Sequence, residues 1–401
     1  MRYEAQQRVL QQLISGLETG TSADAGGIRR TPAADFTCPE LALKEQEIFF
    51  RQTPLLMGLS ADLPEPNTYR ATSETGVPIL LTRNGDGEFG AFYNACSHRG
   101  MQLVDNGRGQ TRRFTCPFHA WTYQNSGELI AINREASFGY IDKSSHGLVE
   151  LPATEKYGML WVQPSPGSTI NVDDILGELA DEMDSWALPS HGYGAEQIIE
   201  ADINWKLAID TFGENYHFNV LHRDSLAHEI HGNLQTHDVY GQNYRMVFAG
   251  VDGFAYAKDM PVAEWPYRWV TLHVYFLYPN TIFLVDPVGI DILRMYPDPD
   301  NTGKSRTHHT FYPQPELLEQ RRQQEQAAGI DNTGLPVENR FVGFNQIVVN
   351  EDYAAAAATQ KSARAGTHSH FFFGRNEPAL HHYHNAHRKG LGLQLLPLEE
   401  A

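Results

Sequence analysis

Cys96-Ser97-His98-Arg99-Gly100 and, after Met101 to Thr115, Cys116-Pro117-Phe118-His119 decide how this chain is read. Each short loop offers one thiolate and one imidazole, spaced C-x-H and C-x-x-H. That mixed donor set suits an iron–sulfur pair with two Cys on one iron and two His on the other. Exchanging two thiolates for neutral imidazoles makes such a cluster less negative and raises its potential. A tetrahedral zinc site is the alternative use of two Cys and two His, but zinc fingers place paired Cys before paired His, whereas each loop here is mixed.

The pattern resembles the Rieske [2Fe-2S] domain, and the match extends past the four donors. Arg99-Gly100 after the first His, Pro117-Phe118 within the second pair, and Ala120-Trp121-Thr122-Tyr123 beyond it look like that family's two cluster loops. The resemblance implies that His98 and His119 ligate one iron and Cys96 and Cys116 the other. Gly100 would let backbone N–H groups approach the sulfides, and Trp121 would shield the cluster from water.

Working outward, 401 residues allow two to three domains at about 150 residues each. With 41% hydrophobic and 20% charged residues, the composition is that of an ordinary globular protein. No apolar run approaches the roughly 20 residues of a membrane span, and the N-terminus lacks a signal-peptide layout, so a cytoplasmic location is expected. A net charge of −18 argues against nucleic acid or an anionic membrane as partner. Of three cysteines two belong to the cluster, leaving Cys38 as a small hydrophobe outside any disulfide framework.

Residues Arg2 to Glu18 carry Val9, Leu10, Leu13, Ile14 and Leu17 at helical spacing, and Gly20 to Gly27 reads as a linker. Pro39 to Gln52 is expected as a second helix. From about Asn67 the period is that of strands, and Val77 to Thr82 and Glu88 to Asn94 flank Asn84-Gly85-Asp86-Gly87, a hairpin delivering Cys96. A second such unit surrounds Cys116 and His119, and Pro164 to Gly167 closes the small all-β domain. Expected domain limits are 1–40 for the helix and linker, 41–167 for the cluster domain and 168–401 for the remainder. In the remainder, Val172 to Ala187 reads as a helix. Strands are expected at Gln197 to Asp202, Asn243 to Ala249, Val270 to Leu277, Thr281 to Asp286, Ile290 to Tyr296 and Ser305 to Tyr312. Helices are expected at Pro315 to Ala328, Glu338 to Ala365 and Glu377 to Leu391. An antiparallel sheet bearing long helices is an α+β layer arrangement.

A second metal site lies in Asp210-Thr211-Phe212-Gly213-Glu214-Asn215-Tyr216-His217 and Phe218 to His222. Glu214 and His217, three apart, would share a helix face. His217 and His222, five apart, would point about 140° from each other on an ideal helix, so both can bind one ion only if the helix ends or bulges between them, near Val220. Two imidazoles and one carboxylate make the facial triad of a non-haem Fe(II) oxygenase.

Following a Rieske pattern, this motif resembles the catalytic α subunit of the Rieske non-haem iron, or ring-hydroxylating, oxygenases. The likeness runs from the cluster loops through Asn204-Trp205-Lys206 to Phe373-Gly374-Arg375-Asn376-Glu377-Pro378. It implies a helix-grip (START-like) catalytic domain, mononuclear Fe(II) on His217 and His222, and a head-to-tail homotrimer in which the cluster of one subunit serves the iron of its neighbour. The family's bridging residue is usually Asp; here it is Glu214, as in the branch resembling carnitine and glycine-betaine oxygenases. Glu214 would accept hydrogen bonds from His217 and from His119 of the next subunit, and Asp210 and Asn204 would orient groups around the iron. Asp352 looks like the family's third ligand, with Glu351 as its rival, because adjacent helical residues point about 100° apart and only one can face the ion. His228, His231, His237, His368, His370, His381, His382, His384 and His387 read as solvated or core-edge histidines.

The expected function is the terminal oxygenase of a multi-component system. Electrons come from a ferredoxin or an NAD(P)H-dependent flavin reductase, and O2 and a small organic substrate meet at the iron. Monooxygenation or oxidative demethylation is preferred to cis-dihydroxylation of an aromatic ring, on the strength of Glu214. A quaternary ammonium in an aromatic cage would suit that choice. The pocket is expected along Val220 to Leu226 and strands Val270 to Tyr296, with Tyr275, Phe276, Tyr278, Phe283 and Met295 as lining candidates. The rival classes are an electron carrier with no working mononuclear iron, and a zinc-stapled binding module.

Overall fold

The computed structural model describes residues 1–167, 169–327, 329 and 337–400. Ala328, the expected end of the helix from Pro315, and the domain limits at 168 and 401 lie outside them. The chain divides into two compact units, one of residues 46–175 with 187–189, the other of 1–45, 176–186 and 190–401. Residues 1–45 therefore count with the larger unit, although the sequence sets 1–40 apart. The helix Tyr3–Thr19 explains this: Val9, Leu10 and Leu13 are fully buried in a cluster with Val247, Ala249 and Phe254 of that unit.

The smaller unit is all β around the cluster loops. A five-stranded antiparallel sheet contains Thr68–Thr72, Ile79–Arg83 and Phe89–Tyr93, and a three-stranded sheet joins Arg113–Thr115, Thr122–Gln124 and Leu129–Ala131. The hairpin signal is met: Ile79–Arg83 pairs with Phe89–Tyr93 across the Asn84–Gly87 turn. Both loops sit over one apolar cluster that includes Leu80, Phe114, Trp121 and Tyr123 together with Cys96 and Cys116.

The larger unit is built on a seven-stranded antiparallel sheet. Ile230–Tyr240, Asn243–Gly250, Thr271–Leu277, Thr281–Val285, Gly289–Pro297 and Ser305–Pro313 follow one another as a meander, and Ala195–Ala201 pairs with the last. Ile230–Tyr240 is a strand the sequence did not announce. Its His231-Gly232-Asn233 opening has weak strand preference, and its pairing is irregular until Gln235 meets Phe248.

Side chains alternate between the two faces of this sheet. One face carries Phe248, Phe276, Thr307 and His309 against helices: Phe276 packs on Tyr383, Thr307 bonds Tyr353, and His309 stacks near Phe344. This is the helix-grip layering that the resemblance implied. Val172–Ala187 is not one helix but Val172–Leu176, a 3-10 turn and Ala180–Ser185, because Gly177 adopts φ +55°. Among the described residues no helix is long and apolar enough to cross a membrane.

Candidate metal centres

The two loops of the smaller unit share a pair of backbone hydrogen bonds. In the first, the Gly100 N–H donates to the Cys96 carbonyl at 2.8 Å and the Cys96 N–H to that of Met101 at 2.8 Å. In the second, the Ala120 N–H donates to Cys116 at 2.9 Å and the Cys116 N–H to Trp121 at 2.8 Å. Closing either turn needs a left-handed residue in fifth place, filled by Gly100 at φ +72° and Ala120 at φ +58°. Glycine does this freely, whereas alanine costs roughly 1–2 kcal/mol, which the surrounding bonds offset.

These turns bring the four predicted donors together. The rings of His98 and His119 lie 4.8 Å apart, and buried Trp121 stacks on His98 at 5.0 Å. His119 Nδ1 is buried without a hydrogen-bond partner, which costs about 1–3 kcal/mol unless a ligand takes its lone pair. Burial pushes the Cys96 thiol up, so it ionises only beside positive charge. An orphaned imidazole nitrogen at His119 and a reluctant thiol at Cys96 fit an iron–sulfur cluster, which supplies that charge. The Tyr123 hydroxyl accepts the Ser97 N–H at 3.0 Å, leaving its own proton for Cys96 Sγ at 3.2 Å.

In the larger unit, the helix Trp205–Asp210 is followed by a turn rather than by more helix. Glu214 stands in that turn, its carboxylate accepting the N–H groups of Tyr216 and, at 3.2 Å, His217. Only then does a single turn of helix, Phe218–Leu221, begin, with His217 and His222 flanking its two ends. The expected helical face shared by Glu214 and His217 is thus a turn, and the expected break falls one residue after Val220. It lets the imidazoles converge, Nε2 to Nε2 at 3.1 Å.

Asp352 completes the set from a distant part of the chain. Its Oδ1 lies 3.2 Å from His217 Nε2 and 3.3 Å from His222 Nε2. For an ion about 2.0–2.2 Å from N and O donors, edges of about 3.0–3.4 Å are expected, so one cation fits above this triangle. Among the described residues, this is the one group of three or more His, Cys, Asp or Glu with donor atoms so gathered. The long helix bearing Asp352 is α-helical over Arg340–Phe344 and Ala354–Ala365 but π-helical over Asn345–Tyr353, a register shift common at functional sites.

Each histidine also has a carboxylate behind it. Glu214 Oε1 meets His217 Nδ1 at 2.5 Å, and Glu351 Oε2 meets His222 Nδ1 at 2.6 Å. Burial favours the neutral ring of His217, but hydrogen bonds to Asp352 and Glu214 outweigh it and hold the ring at about 9. His222 is raised against burial by Asp352 and Glu351 in the same way. Burial in turn opposes the charge on Asp352, yet the two imidazoles keep its carboxyl below the usual range. Without a cation the site gathers protons, which a metal ion would displace.

The other predicted residues divide. Asp210 is beside the site: it lines a depression of about 250 Å³ with Glu214, His217, Asp352, Phe371 and Leu380, and it accepts from His384 Nε2 at 2.9 Å. Asn204 is not there as an orienting group. It caps the helix Trp205–Asp210, accepting the Lys206 N–H at 3.0 Å, and donates to the carbonyls of Phe36 and Thr302. Tyr275 and Phe283 stand on the opposite sheet face from Phe276, and the Tyr275 hydroxyl donates to Glu182. His368 and His370 are exposed, while buried His381 and His387 bond the carbonyls of Phe373 and Pro279. His384, read as a core-edge histidine, and Tyr123 and Ser225 are the residues the sequence reading left unassigned to either centre. No spacing signal marks them, because their partners are set by tertiary packing.

Comparison with known proteins places both centres in a shared framework. The family model for the ring hydroxylating alpha subunit (catalytic domain) matches residues 188–392, half of the chain, and that for the Rieske [2Fe-2S] domain matches 53–150. The carnitine monooxygenase oxygenase subunit of Acinetobacter baumannii is 27% identical over 287 residues, 70% of this chain and 75% of the relative. The glycine betaine monooxygenase oxygenase subunit of Chromohalobacter salexigens is 28% identical over 200 residues, 50% of this chain but 44% of the relative. The toluate 1,2-dioxygenase subunit alpha of Pseudomonas putida is 30% identical over 205 residues, 49% of this chain and 45% of the relative. In three dimensions the crystal structure of the quaternary ammonium Rieske monooxygenase CntA with L-carnitine matches 92% of this chain and 97% of that one at TM-score 0.73 and 19% identity, a likeness of fold.

Proposed function

Because the chain belongs to the ring-hydroxylating α-subunit family, with a Rieske domain ahead of its catalytic domain, we propose that it is the oxygenase component of a multi-component monooxygenase. One observation carries this reading: a triangle of His217, His222 and Asp352 donors, with edges of 3.1–3.3 Å, in the same chain as the paired Cys/His loops. Cys96, His98, Cys116 and His119 would hold the [2Fe-2S] cluster, and the triangle would hold one Fe(II). Bound iron supplies O2 activation: one oxygen atom enters a substrate C–H bond and the other leaves as water, consuming two electrons and two protons.

This chain's own residues perform the rest. Glu214 holds the N–H of His217 at Nδ1 and so leaves Nε2 free for the ion. Asp352 contributes the one charge of the triangle, and the π-helical turn aims it there. In a homotrimer, Glu214 would also receive His119 of the next subunit, linking the cluster of one copy to the iron of its neighbour. A ferredoxin or flavin reductase would deliver the electrons.

For the substrate, we propose a small carboxylate-bearing quaternary ammonium compound, supported by the carnitine and glycine betaine relatives and by glutamate at position 214. The toluate relative favours a second reading, cis-dihydroxylation of an aromatic acid. Oxygen uptake with a surrogate reductase separates them. Trimethylammonium carboxylates should give uptake coupled to product at one O2 per substrate, with aromatic acids inert. Coupled turnover of aromatic acids to diols would replace the first reading with the second.

A further inference from the structure

We infer that Glu351 is a positioning residue for His222, so that the two ligand histidines are each held by a carboxylate of their own. The inference rests on the assignment of His217, His222 and Asp352 as the iron-binding set. Glu351 Oε2 stands 2.6 Å from His222 Nδ1, whereas Asp352 Oδ1 stands 3.3 Å from Nε2 of the same ring. Two adjacent residues therefore clasp one imidazole from its two nitrogens. On a regular α-helix neighbours diverge by about 100°. Here both lie in the π-helical stretch, and the ring fits between them.

The consequence follows from the chemistry of imidazole. A neutral ring has one N–H, and a carboxylate accepts but cannot donate. Glu351 fixes that N–H at Nδ1 and leaves the Nε2 lone pair for a metal ion. It also rules Glu351 out as a ligand in this arrangement, since its oxygen lies behind the ring. Ser225 keeps the carboxylate in place: its hydroxyl donates to the same Oε2 at 2.9 Å, and its N–H donates to the His222 carbonyl at 2.9 Å. The clasp is thus tied at both ends to the turn that carries His222. Glu214 is the counterpart on His217, anchored by backbone N–H groups instead of a hydroxyl.

The test is iron affinity, read separately from turnover. Full-length protein with its cluster intact is freed of mononuclear iron by a mild chelator and retitrated anaerobically with Fe(II), with bound iron and labile sulfide counted per chain. Glu351→Ala should bind the third iron about 10–100-fold more weakly with sulfide unchanged. Glu351→Gln, whose amide oxygen can accept the same N–H, should recover most of that loss, and Ser225→Ala should show a smaller one. Equal affinity in Glu351→Ala and wild type would overturn the inference. So would a total loss of the third iron in both Glu351 variants, as expected for a ligand. Wild-type protein that takes up no third iron would overturn the oxygenase reading itself, and this assignment with it.

Discussion

The two metal centres of this protein are built in opposite ways. Around the cluster, four donors come from two neighbouring loops whose backbones repeat the same hydrogen bonds, each turned by a left-handed residue at 100 or 120. Around the mononuclear site, the donors sit at the ends of a one-turn helix and on a π-helical stretch; His222 and its Glu351 partner are 129 residues apart. The first centre is local and is written in spacing. The second exists only once the sheet and helices have packed, and its chemistry depends on the carboxylates behind the ligands. The difference teaches where each centre is vulnerable: the cluster at its donors, the iron site both at its donors and, to a smaller extent, at the carboxylates behind them.

The sharpest way to break this contrast is reciprocal. Cys116→Ser should lose all labile sulfide and the cluster's visible absorbance yet still bind one iron in the larger unit. Asp352→Ala should keep the cluster and lose that iron, with turnover at background. Loss of both centres in either variant would show that they are not built separately. Next in size, Glu214→Gln, whose amide oxygen can still accept the His217 N–H, should keep both metals while turnover falls roughly 10–100-fold through loss of the charge that would also receive His119 of the next subunit; assay beside metal counting checks it.

Metal-free protein should reveal what holds the iron site together. His217 rises to about 9 from an ordinary 6.5, so its stabilising contribution is complete below about 6.5 and is lost as pH rises through about 9. From pH 6 to pH 9.5 the urea midpoint of the iron-free protein should fall by the equivalent of about 1–3 kcal/mol. The decline should vanish on loading iron, which binds neutral imidazole. A smaller effect belongs to the cluster: Tyr123→Phe removes a hydroxyl proton from Cys96 Sγ and should lower the reduction potential by about 50–100 mV with sulfide unchanged. The smallest is Asn204→Ala, which should cost about 1–2 kcal/mol of stability through its lost helix cap and leave both metal contents intact. A loss of iron there would return Asn204 to the site.

The same contrast explains what the sequence could tell. Cys96, His98, Cys116 and His119 were legible because loop spacing alone brings them together, and the Asn84–Gly87 hairpin because turn chemistry is local. His217 and His222 were legible as a pair, and the need for a helix end between them followed from geometry. Choosing Asp352 over Glu351 needed the family's order, because the π-helical stretch that sets Asp352 beside Nε2 and Glu351 beside Nδ1 of His222 carries no spacing signal. Asn204 misled because a buried polar residue next to a catalytic motif looks the same whether it orients a ligand or caps a helix. The strand Ile230–Tyr240 and the His384–Asp210 bond were invisible for one reason: their partners are remote and their own residues carry no periodic signal.

The central claim, one cluster and one separate mononuclear iron in each chain, is tested most directly by counting iron and acid-labile sulfide in protein purified without oxygen. The account predicts three irons and two sulfides per chain, with the third iron lost in Asp352→Ala. Two irons and two sulfides, with no further iron taken up on incubation with Fe(II), would contradict it and leave an electron carrier.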